Sequence, residues 1–331
     1  MNNLELIKKA KQIALSGKLL DRESIISLLK IDPASEDCEF LGRTAREAAS
    51  IICKDRAYIW ATIGLDHKSC SMNCDFCSFG EKWGIVKDES EISGNEIIKL
   101  AHKYVNEGAR WIFLRTTQFY SLEKLSKSAE KIRNTVPGEY ELGVNIGEFD
   151  EEMAKKLAKA GVTYVYHSLR LREGENTRFS AKDRLSTLES VKNSPLKLAF
   201  FVEPIGCEHS NEEIADIFLT AMKYDSVATG AMARVPVPGT PLGNLPALSS
   251  KRLAQITAVT RLAAGYNAPD ICLHPASEIA LKWGANVVAV ETGALPRDTY
   301  SNSEGEWRGF DTNTAKIWFN SSGYKVFSKV G

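Results

Sequence analysis

Eight short runs rich in β-branched and aromatic residues alternate with helical patterns along this 331-residue chain. Repeated strand–helix–strand units align their strands in parallel, and about eight of them close a barrel. The sequence therefore predicts an α/β fold, a full or nearly full (β/α)8 barrel of the TIM type. The predicted strands are Tyr58–Ile63, Trp111–Arg115, Leu142–Ile146, Tyr164–His167, Leu196–Val202, Ser226–Ala233, Ile271–His274 and Val287–Glu291. The predicted helices between them are Asn95–Val105, Leu122–Asn134, Glu151–Ala160, Leu185–Val191, Asn211–Met222, Lys251–Ala264 and Glu278–Gly284.

The chain ends add to this barrel. We predict an N-terminal helical extension over residues 1–55, the barrel over residues 56–300 and a C-terminal extension over residues 301–331 that packs on the barrel. The N-terminal pattern is amphipathic and lacks the apolar core of a signal peptide, and no run approaches the roughly 18 apolar residues that span a bilayer. We expect a cytoplasmic protein with no membrane partner.

The net charge indicates which classes of partner to expect, and the cysteine content bears on the redox state of the thiols. The 42 basic residues balance the 42 acidic ones, so no net field attracts nucleic acid or an anionic membrane. We therefore predict no nucleic-acid partner and a substrate that is a small molecule or is bound to a carrier protein. In a cytoplasmic protein, the seven cysteines are expected to be reduced thiols rather than disulfides.

Three of these cysteines follow the first predicted strand. Cys70, Cys74 and Cys77 form a Cys-x3-Cys-x2-Cys motif, a spacing that favours a metal site over a disulfide framework. Three thiolates are one too few to close a four-iron cluster, which leaves one iron open to an external ligand. The alternatives are three incidental cysteines, or a zinc site that His67 completes.

The motif, with Phe76 directly before its third cysteine, resembles that of the radical S-adenosylmethionine (SAM) superfamily. The resemblance implies that Cys70, Cys74 and Cys77 hold a [4Fe–4S] cluster whose open iron binds SAM. It further implies reductive cleavage of SAM to a 5′-deoxyadenosyl radical, which abstracts hydrogen from the substrate, and a reductant such as ferredoxin or flavodoxin. A noncatalytic cluster-binding or zinc-binding subunit is the alternative from another class.

Residues from about 36 to 298 resemble the biotin-synthase-like branch of the superfamily, which includes methylornithine synthase, the SAM maturase of [FeFe]-hydrogenase and archaeal lipoyl-forming proteins. The resemblance lies in the lead-in to Cys70 and in the segments NIGEFDEEMAKKLAKAGVTYVYHSL, VPVPGTPLGNL and WGANVVAVETG. It implies cofactor biosynthesis, first of all sulfur insertion of the lipoyl or biotin kind, with a second radical SAM subunit as a partner. Carbon-skeleton rearrangement, methylation or metallocofactor maturation is the alternative.

The same resemblance implies a set of cofactor contacts after successive strands. Hydroxyl and carbonyl acceptors after the second strand would take the SAM ammonium, and a guanidinium after the fourth would take its carboxylate, with Arg172 as a further candidate. In HSLRLREG, Arg170 stands where biotin synthase has a ribose-binding aspartate. A solvated, salt-bridged loop is the alternative for these arginines. The expected cofactor-binding residues are Phe76, Thr116, Thr117, Asn145, Ser168, Arg170, Arg178 and Ile205.

The remaining candidates concern the substrate side. The positions that match the auxiliary-cluster cysteines of biotin synthase are Leu114, Gly143 and Ala199, and none is a thiol. Cys272, in the seventh predicted strand, stands about where the family has a cluster-binding arginine, and Cys207 is at a neighbouring strand end. The two are expected either to face one cavity and hold a second, auxiliary iron–sulfur cluster or a persulfide, or to be small buried hydrophobes. His274, at the end of the seventh strand, is the preferred substrate-side residue; the catalytic candidates are therefore His274, Cys272 and Cys207.

Overall fold

Eight parallel strands form a closed barrel in the computed structural model, which describes residues 2–297 and 306–326. β8 pairs with β1, Tyr58 opposite Val287, and β6 pairs with β7, so the ring has no open edge. The closed barrel confirms the predicted fold. The strands are β1 Arg56–Gly64, β2 Trp111–Arg115, β3 Glu141–Asn145, β4 Tyr164–Tyr166, β5 in two segments (Lys197–Ala199 and Val202–Ile205), β6 Ala228–Ala233, β7 Asp270–His274 and β8 Val287–Gly293.

The fifth strand differs most from its predicted bounds. Its ladder is interrupted at Phe200 and Phe201, whose backbone N–H groups donate to the hydroxyls of Ser226 (3.1 Å) and Ser168 (3.1 Å). These serine hydroxyls accept hydrogen bonds in place of some of the strand carbonyls. The strand pairing is therefore interrupted without leaving these buried N–H donors unsatisfied. A hydrophobic run alone predicts one continuous strand and cannot reveal this break.

Each of the eleven α-helices within the described residues is preceded by an Asn, Asp or Ser whose side chain accepts a hydrogen bond from the first turn. Such caps explain why the predicted starts lie within a few residues of the observed ones. The helices are α1 Asn3–Leu15, α2 Arg22–Leu29, α3 Glu36–Ile52, α4 Gly94–Asn106, α5 Leu122–Thr135, α6 Glu151–Lys159, α7 Ala181–Lys192, α8 Asn211–Lys223, α9 Ser250–Ala264, α10 Glu278–Lys282 and α11 Thr312–Ser321.

The two ends of the chain pack onto the barrel. Helices α1 and α3 lie against α9, and their apolar side chains join the same hydrophobic core as the strands. Near the other end, Lys325–Val326 adds a short parallel strand to the start of β1. The division into three segments stays a prediction, and its second boundary, at 300/301, lies outside the described residues. No helix among the described residues has the length and apolarity to cross a membrane.

Large aromatic side chains fill the middle of the barrel. Trp60 stacks on Phe113 with ring centroids 3.7 Å apart, and Gly143 leaves the space that Phe113 occupies, since a Cβ there would lie 2.3 Å from the ring. We call this set the aromatic layer: Trp60, Trp111, Phe113, Tyr164, Tyr166 and Phe201. This layer fills the interior of the barrel up to the region where the strands approach their C-terminal ends.

Candidate functional site

A cavity of about 190 Å³ opens above the aromatic layer, at the C-terminal ends of the strands. Trp60, Phe113 and Cys272 form its floor, and the loops after the strands form its walls. This is the end of the barrel at which the strand order predicts chemistry. It holds most of the predicted site residues, but not all of them.

The loop after β1 carries the cysteine motif into this cavity. Cys70, Cys74, Phe76 and Cys77 all line it. The loop is held by backbone hydrogen bonds, from Cys70 N to Phe79 O at 2.7 Å and from Cys77 N to Cys74 O at 2.9 Å. A further bond, from the N–H at position 78 to the carbonyl at 296 (2.8 Å), ties the motif to the segment after β8.

The position of His67 does not favour the zinc alternative. Thiolates bind both zinc and iron–sulfur clusters, but the Nδ1 of His67 lies 3.1 Å from Asp88 O and its ring does not line the cavity that holds the thiols. Among the described residues, no three His, Cys, Asp or Glu side chains are gathered at metal-binding distance. Burial raises the pKa of Cys74 to about 12 and that of Cys77 to about 11, so metal loading must release protons. Their role as ligands stays a prediction.

The predicted ammonium contacts line the cavity on its β2–β3 side. Thr117 donates both its N–H (2.8 Å) and its hydroxyl to the carboxylate of Asp66, which follows β1 and is fully buried. The hydroxyl of Thr116 donates to Thr117 O (2.9 Å), and the amide of Asn145 donates to Tyr166 O (3.0 Å). These bonds leave oxygen lone pairs as acceptors for an ammonium group. Sequence reasoning missed Asp66, although its place four residues before the motif was a signal.

Three predicted cofactor contacts lie outside the cavity lining. Ser168 accepts the hydrogen bond of the interrupted β5 ladder, so its hydroxyl is committed to the fold. Arg178 is exposed, and its Nη1 donates to Ser71 O at 3.3 Å. Ile205 is buried in the core because the register of β5 shifts between Val202 and Ile205, and Pro204 lines the cavity instead.

Five arginines line the cavity, and only Arg170 is among the cofactor contacts expected from the sequence. Arg170 lies 3.7 Å from the carboxylate of Glu203, and its Nη1 is buried without a hydrogen-bond partner among the described residues. Arg184, from helix α7, pairs with Glu173 at 3.2 Å and stacks on Phe179. By contrast, Arg172 pairs with Glu213 outside the lining. The set comprises Arg115, Arg170, Arg184, Arg234 and Arg297.

His274 belongs to a buried ion-pair network. Its Nε2 lies 2.8 Å from Glu291, which also pairs with Arg297, and its ring packs 4.9 Å from that of Trp307. Burial and the charge of Arg297 lower the pKa of His274, although Glu291 opposes them. Burial raises the pKa of Glu291, but Arg297 and His274 outweigh it and hold that pKa low. A neutral imidazole donating to a carboxylate therefore faces the cavity near neutral pH.

The two candidate auxiliary cysteines are not brought together. Cys272 is fully buried in the floor of the cavity beside the aromatic layer, whereas Cys207 is exposed and lies outside the lining. The expectation that both thiols face one cavity is therefore wrong. The reason is that Gly206 ends the inward-facing part of the loop after β5, and the following residues turn to the surface.

Acidification is expected to destabilise the fold through buried histidines. Burial, followed by the charges of Arg184 and Arg170, lowers the pKa of His167 well below its usual value. The unfolded chain then binds a proton below about pH 6.5 that the folded chain does not, which costs up to about 1.4 kcal/mol per pH unit. The free energy of unfolding, from urea titrations between pH 7 and pH 5, should fall less steeply in His167→Gln than in the parent. An unchanged slope, equal to that of a His102→Gln control on α4, would contradict this assignment.

Part of the chain matches a known protein family, and most of the chain is similar in sequence to known proteins. Residues 67–219 match the radical SAM superfamily. Biotin synthase of Persephonella marina is 24% identical over 265 residues, 78% of each chain, and that of Nitrosopumilus maritimus is 25% identical over 270 residues, 79% of this chain and 81% of the other.

Two solved structures share the fold. HydG, a maturase of the [FeFe]-hydrogenase, superposes with a TM-score of 0.80 at 15% identity, covering 99% of this chain and 76% of its own. Methylornithine synthase (PylB) superposes with a TM-score of 0.78 at 17% identity, covering 96% and 97%. The sequence match includes the cysteine motif, and the closed barrel carries that motif at its mouth. Residues 67–219 therefore carry a radical SAM domain, and the protein is a radical SAM enzyme with biotin-synthase-like relatives.

Proposed function

We propose that this enzyme abstracts hydrogen from an anionic small molecule in cofactor biosynthesis, with single-cluster chemistry. One observation carries the proposal: the three motif thiols share a cavity with five arginines, and no second set of thiols faces it among the described residues. Carbon-skeleton rearrangement, methylation and metallocofactor maturation all fit this arrangement.

The radical SAM domain at residues 67–219 implies a [4Fe–4S] cluster and SAM. The thiols of Cys70, Cys74 and Cys77 are the proposed ligands, since three soft donors in one cavity leave one iron for SAM. Together, when bound and reduced by a ferredoxin or flavodoxin, these cofactors supply a 5′-deoxyadenosyl radical. The protein itself positions SAM and the substrate and excludes water. The aromatic layer contributes to both of these functions.

The proposed SAM contacts come from three sides of the cavity. Thr116 and Thr117 offer oxygen acceptors to the ammonium, with the hydroxyl of Thr117 oriented by Asp66. The unpartnered Nη1 of Arg170 is a donor for the carboxylate. Asn145 and Phe76 are proposed to contact the rest of the molecule. Ser168, Arg178 and Ile205 are not proposed further, since they lie outside the lining.

Replacing Arg170 by methionine is expected to weaken SAM binding by about 30-fold or more, because the change removes one partner of a buried charge pair. Equilibrium dialysis of labelled SAM against the reconstituted, oxygen-free protein measures the effect. Arg178→Met is the matched control: it removes the same charge from the same loop, outside the cavity. Equal losses of affinity in both variants would contradict the assignment of Arg170.

Sulfur insertion of the lipoyl or biotin kind is the second candidate, and the biotin synthase relatives favour it. It requires a sulfur source, such as an auxiliary cluster. Cys272 and Cys207 do not share the cavity, and Trp60 and Phe113 fill the level of the barrel below it. In this case a second radical SAM subunit, or a substrate carried on a protein, would complete the reaction. The geometry therefore favours the single-cluster alternative over sulfur insertion.

Counting iron while measuring SAM cleavage separates the candidates. The protein is reconstituted without oxygen, reduced with dithionite and given SAM, and 5′-deoxyadenosine is quantified beside iron and sulfide. About four irons per chain with 5′-deoxyadenosine formed supports the proposal, whereas about eight supports sulfur insertion. A loaded protein that neither binds SAM nor forms 5′-deoxyadenosine would contradict both and support a noncatalytic subunit.

A further inference from the structure

Arg234 lies at the C-terminal end of β6, across the barrel mouth from the loop that carries the three thiols. Its side chain is only 2% exposed, and its Nη1 donates to the carboxylate of Glu208 at 2.6 Å. Within the described residues, its Nε and Nη2 have no hydrogen-bond partner, although Arg234 lines the cavity. Nε and Nη2 form one edge of the guanidinium, so the unused donors are adjacent and point the same way.

We propose that this edge of Arg234 binds a carboxylate group of the substrate, which deepens and rests on the proposed function. Two parallel N–H donors match the two oxygens of a carboxylate in a bidentate pair. Buried donors without partners are uncommon and costly, so a ligand that accepts both bonds gains their full value. A carboxylate held here leaves the rest of the substrate to extend across the mouth toward the cysteine motif.

The loop after β5 fixes the guanidinium in place. Glu208 holds Nη1, and its own carboxylate occupies space that Gly206 leaves open, because a Cβ on Gly206 would lie 2.2 Å from a Glu208 oxygen. The Nδ1 of His209 accepts from Gly206 N at 2.9 Å, and Arg172 donates to Glu208 O at 2.9 Å. Glu208 is therefore a positioning residue: it orients Arg234 without lining the cavity.

The charge of the cavity wall agrees with an anionic substrate. Its lining holds five arginines against Glu203 and Glu291, and neither lysine nor aspartate among the described residues. Glu291 is already paired with Arg297 and His274, and Glu203 with Arg170. Arg170 is assigned to SAM. Within the part of the chain that the structure describes, Arg115 and Arg184 each have one unpartnered nitrogen, whereas Arg234 has two adjacent ones, which form a separate donor pair for a second anion.

The first test compares probes on the unaltered enzyme. Hexanoate, hexanamide and hexylphosphonate are titrated by isothermal calorimetry into reconstituted protein saturated with SAM, so that the SAM carboxylate site is filled. Hexanoate should bind at least about 10-fold more tightly than hexanamide, since the amide lacks the charge and one acceptor. Equal binding of the two, or no saturable binding of hexanoate, overturns the proposal. Tighter binding of hexylphosphonate overturns the carboxylate in favour of a phosphate group.

Variants then assign the site. Arg234→Gln and Arg234→Lys should both weaken hexanoate binding by about 10-fold or more, because neither keeps the two-donor edge, and should leave SAM affinity unchanged. Arg170→Met should instead weaken SAM binding and leave hexanoate binding unchanged. Glu208→Ala should weaken hexanoate binding, and Glu208→Gln should restore it, because the amide oxygen still accepts from Nη1. Unchanged hexanoate binding in a folded Arg234 variant overturns the assignment, whereas loss of 5′-deoxyadenosine formation with intact probe binding counts against the proposed function alone.

Discussion

Replacing Cys74 by alanine is expected to abolish the formation of 5′-deoxyadenosine and to remove most of the bound iron. Cys74 lies between the other two motif thiols in the sequence and lines the same cavity. With one thiol lost, two ligands remain for a four-iron cluster, too few to hold it with one open iron. The measurements are iron and sulfide per chain, the visible absorbance of the cluster, and 5′-deoxyadenosine after reduction with SAM present.

Cys207→Ala is the control for this variant. Cys207 is exposed and outside the cavity, so its removal should leave both the iron content and SAM cleavage at the level of the parent. Loss of about half of the iron in Cys207→Ala would instead indicate a second cluster and would restore sulfur insertion as the leading function. A Cys74→Ala protein that still cleaves SAM would remove the basis of the cluster assignment.

Replacing Arg261 by methionine is expected to lower the free energy of unfolding by about 3 kcal/mol or more, the largest stability effect that we predict. Arg261 is fully buried on α9, where it donates to Gly284 O (2.8 Å), Pro269 O (2.7 Å) and the side-chain oxygen of Asn286 (2.7 Å). Methionine fills similar volume but leaves acceptors without partners. The substitution also removes the positive charge of Arg261. Burial raises the pKa of Asp270, and the charge of Arg261 offsets part of this effect by lowering it.

Lys251→Met provides the control on the same helix. Lys251 is exposed and makes one surface ion pair with Glu39 (3.0 Å), so its loss should cost less than about 1 kcal/mol. Urea unfolding followed by circular dichroism measures both variants. Similar losses in the two would mean that the buried network of Arg261 contributes little to stability.

The sequence alone was sufficient for the barrel because each strand is a compact apolar run and each helix starts at a cap. The cysteine motif was equally accessible, since its three thiols lie close together along the chain. The set of five cavity arginines was not, because Arg115, Arg184 and Arg297 come from segments distant in sequence that meet at the mouth of the closed barrel. The sequence also did not reveal whether a residue that follows a strand faces the cavity or the surface. Cys207 is an example, since it lies at the surface.

The aromatic layer also constrains the order in which ligands come and go. Because Trp60 stacks on Phe113 and their neighbours fill the barrel beneath the cavity, nothing passes through toward the N-terminal ends of the strands. SAM and substrate must then share the mouth as entrance and exit. Whichever settles deeper enters first and departs last, so the enzyme is expected to follow a compulsory-order kinetic scheme.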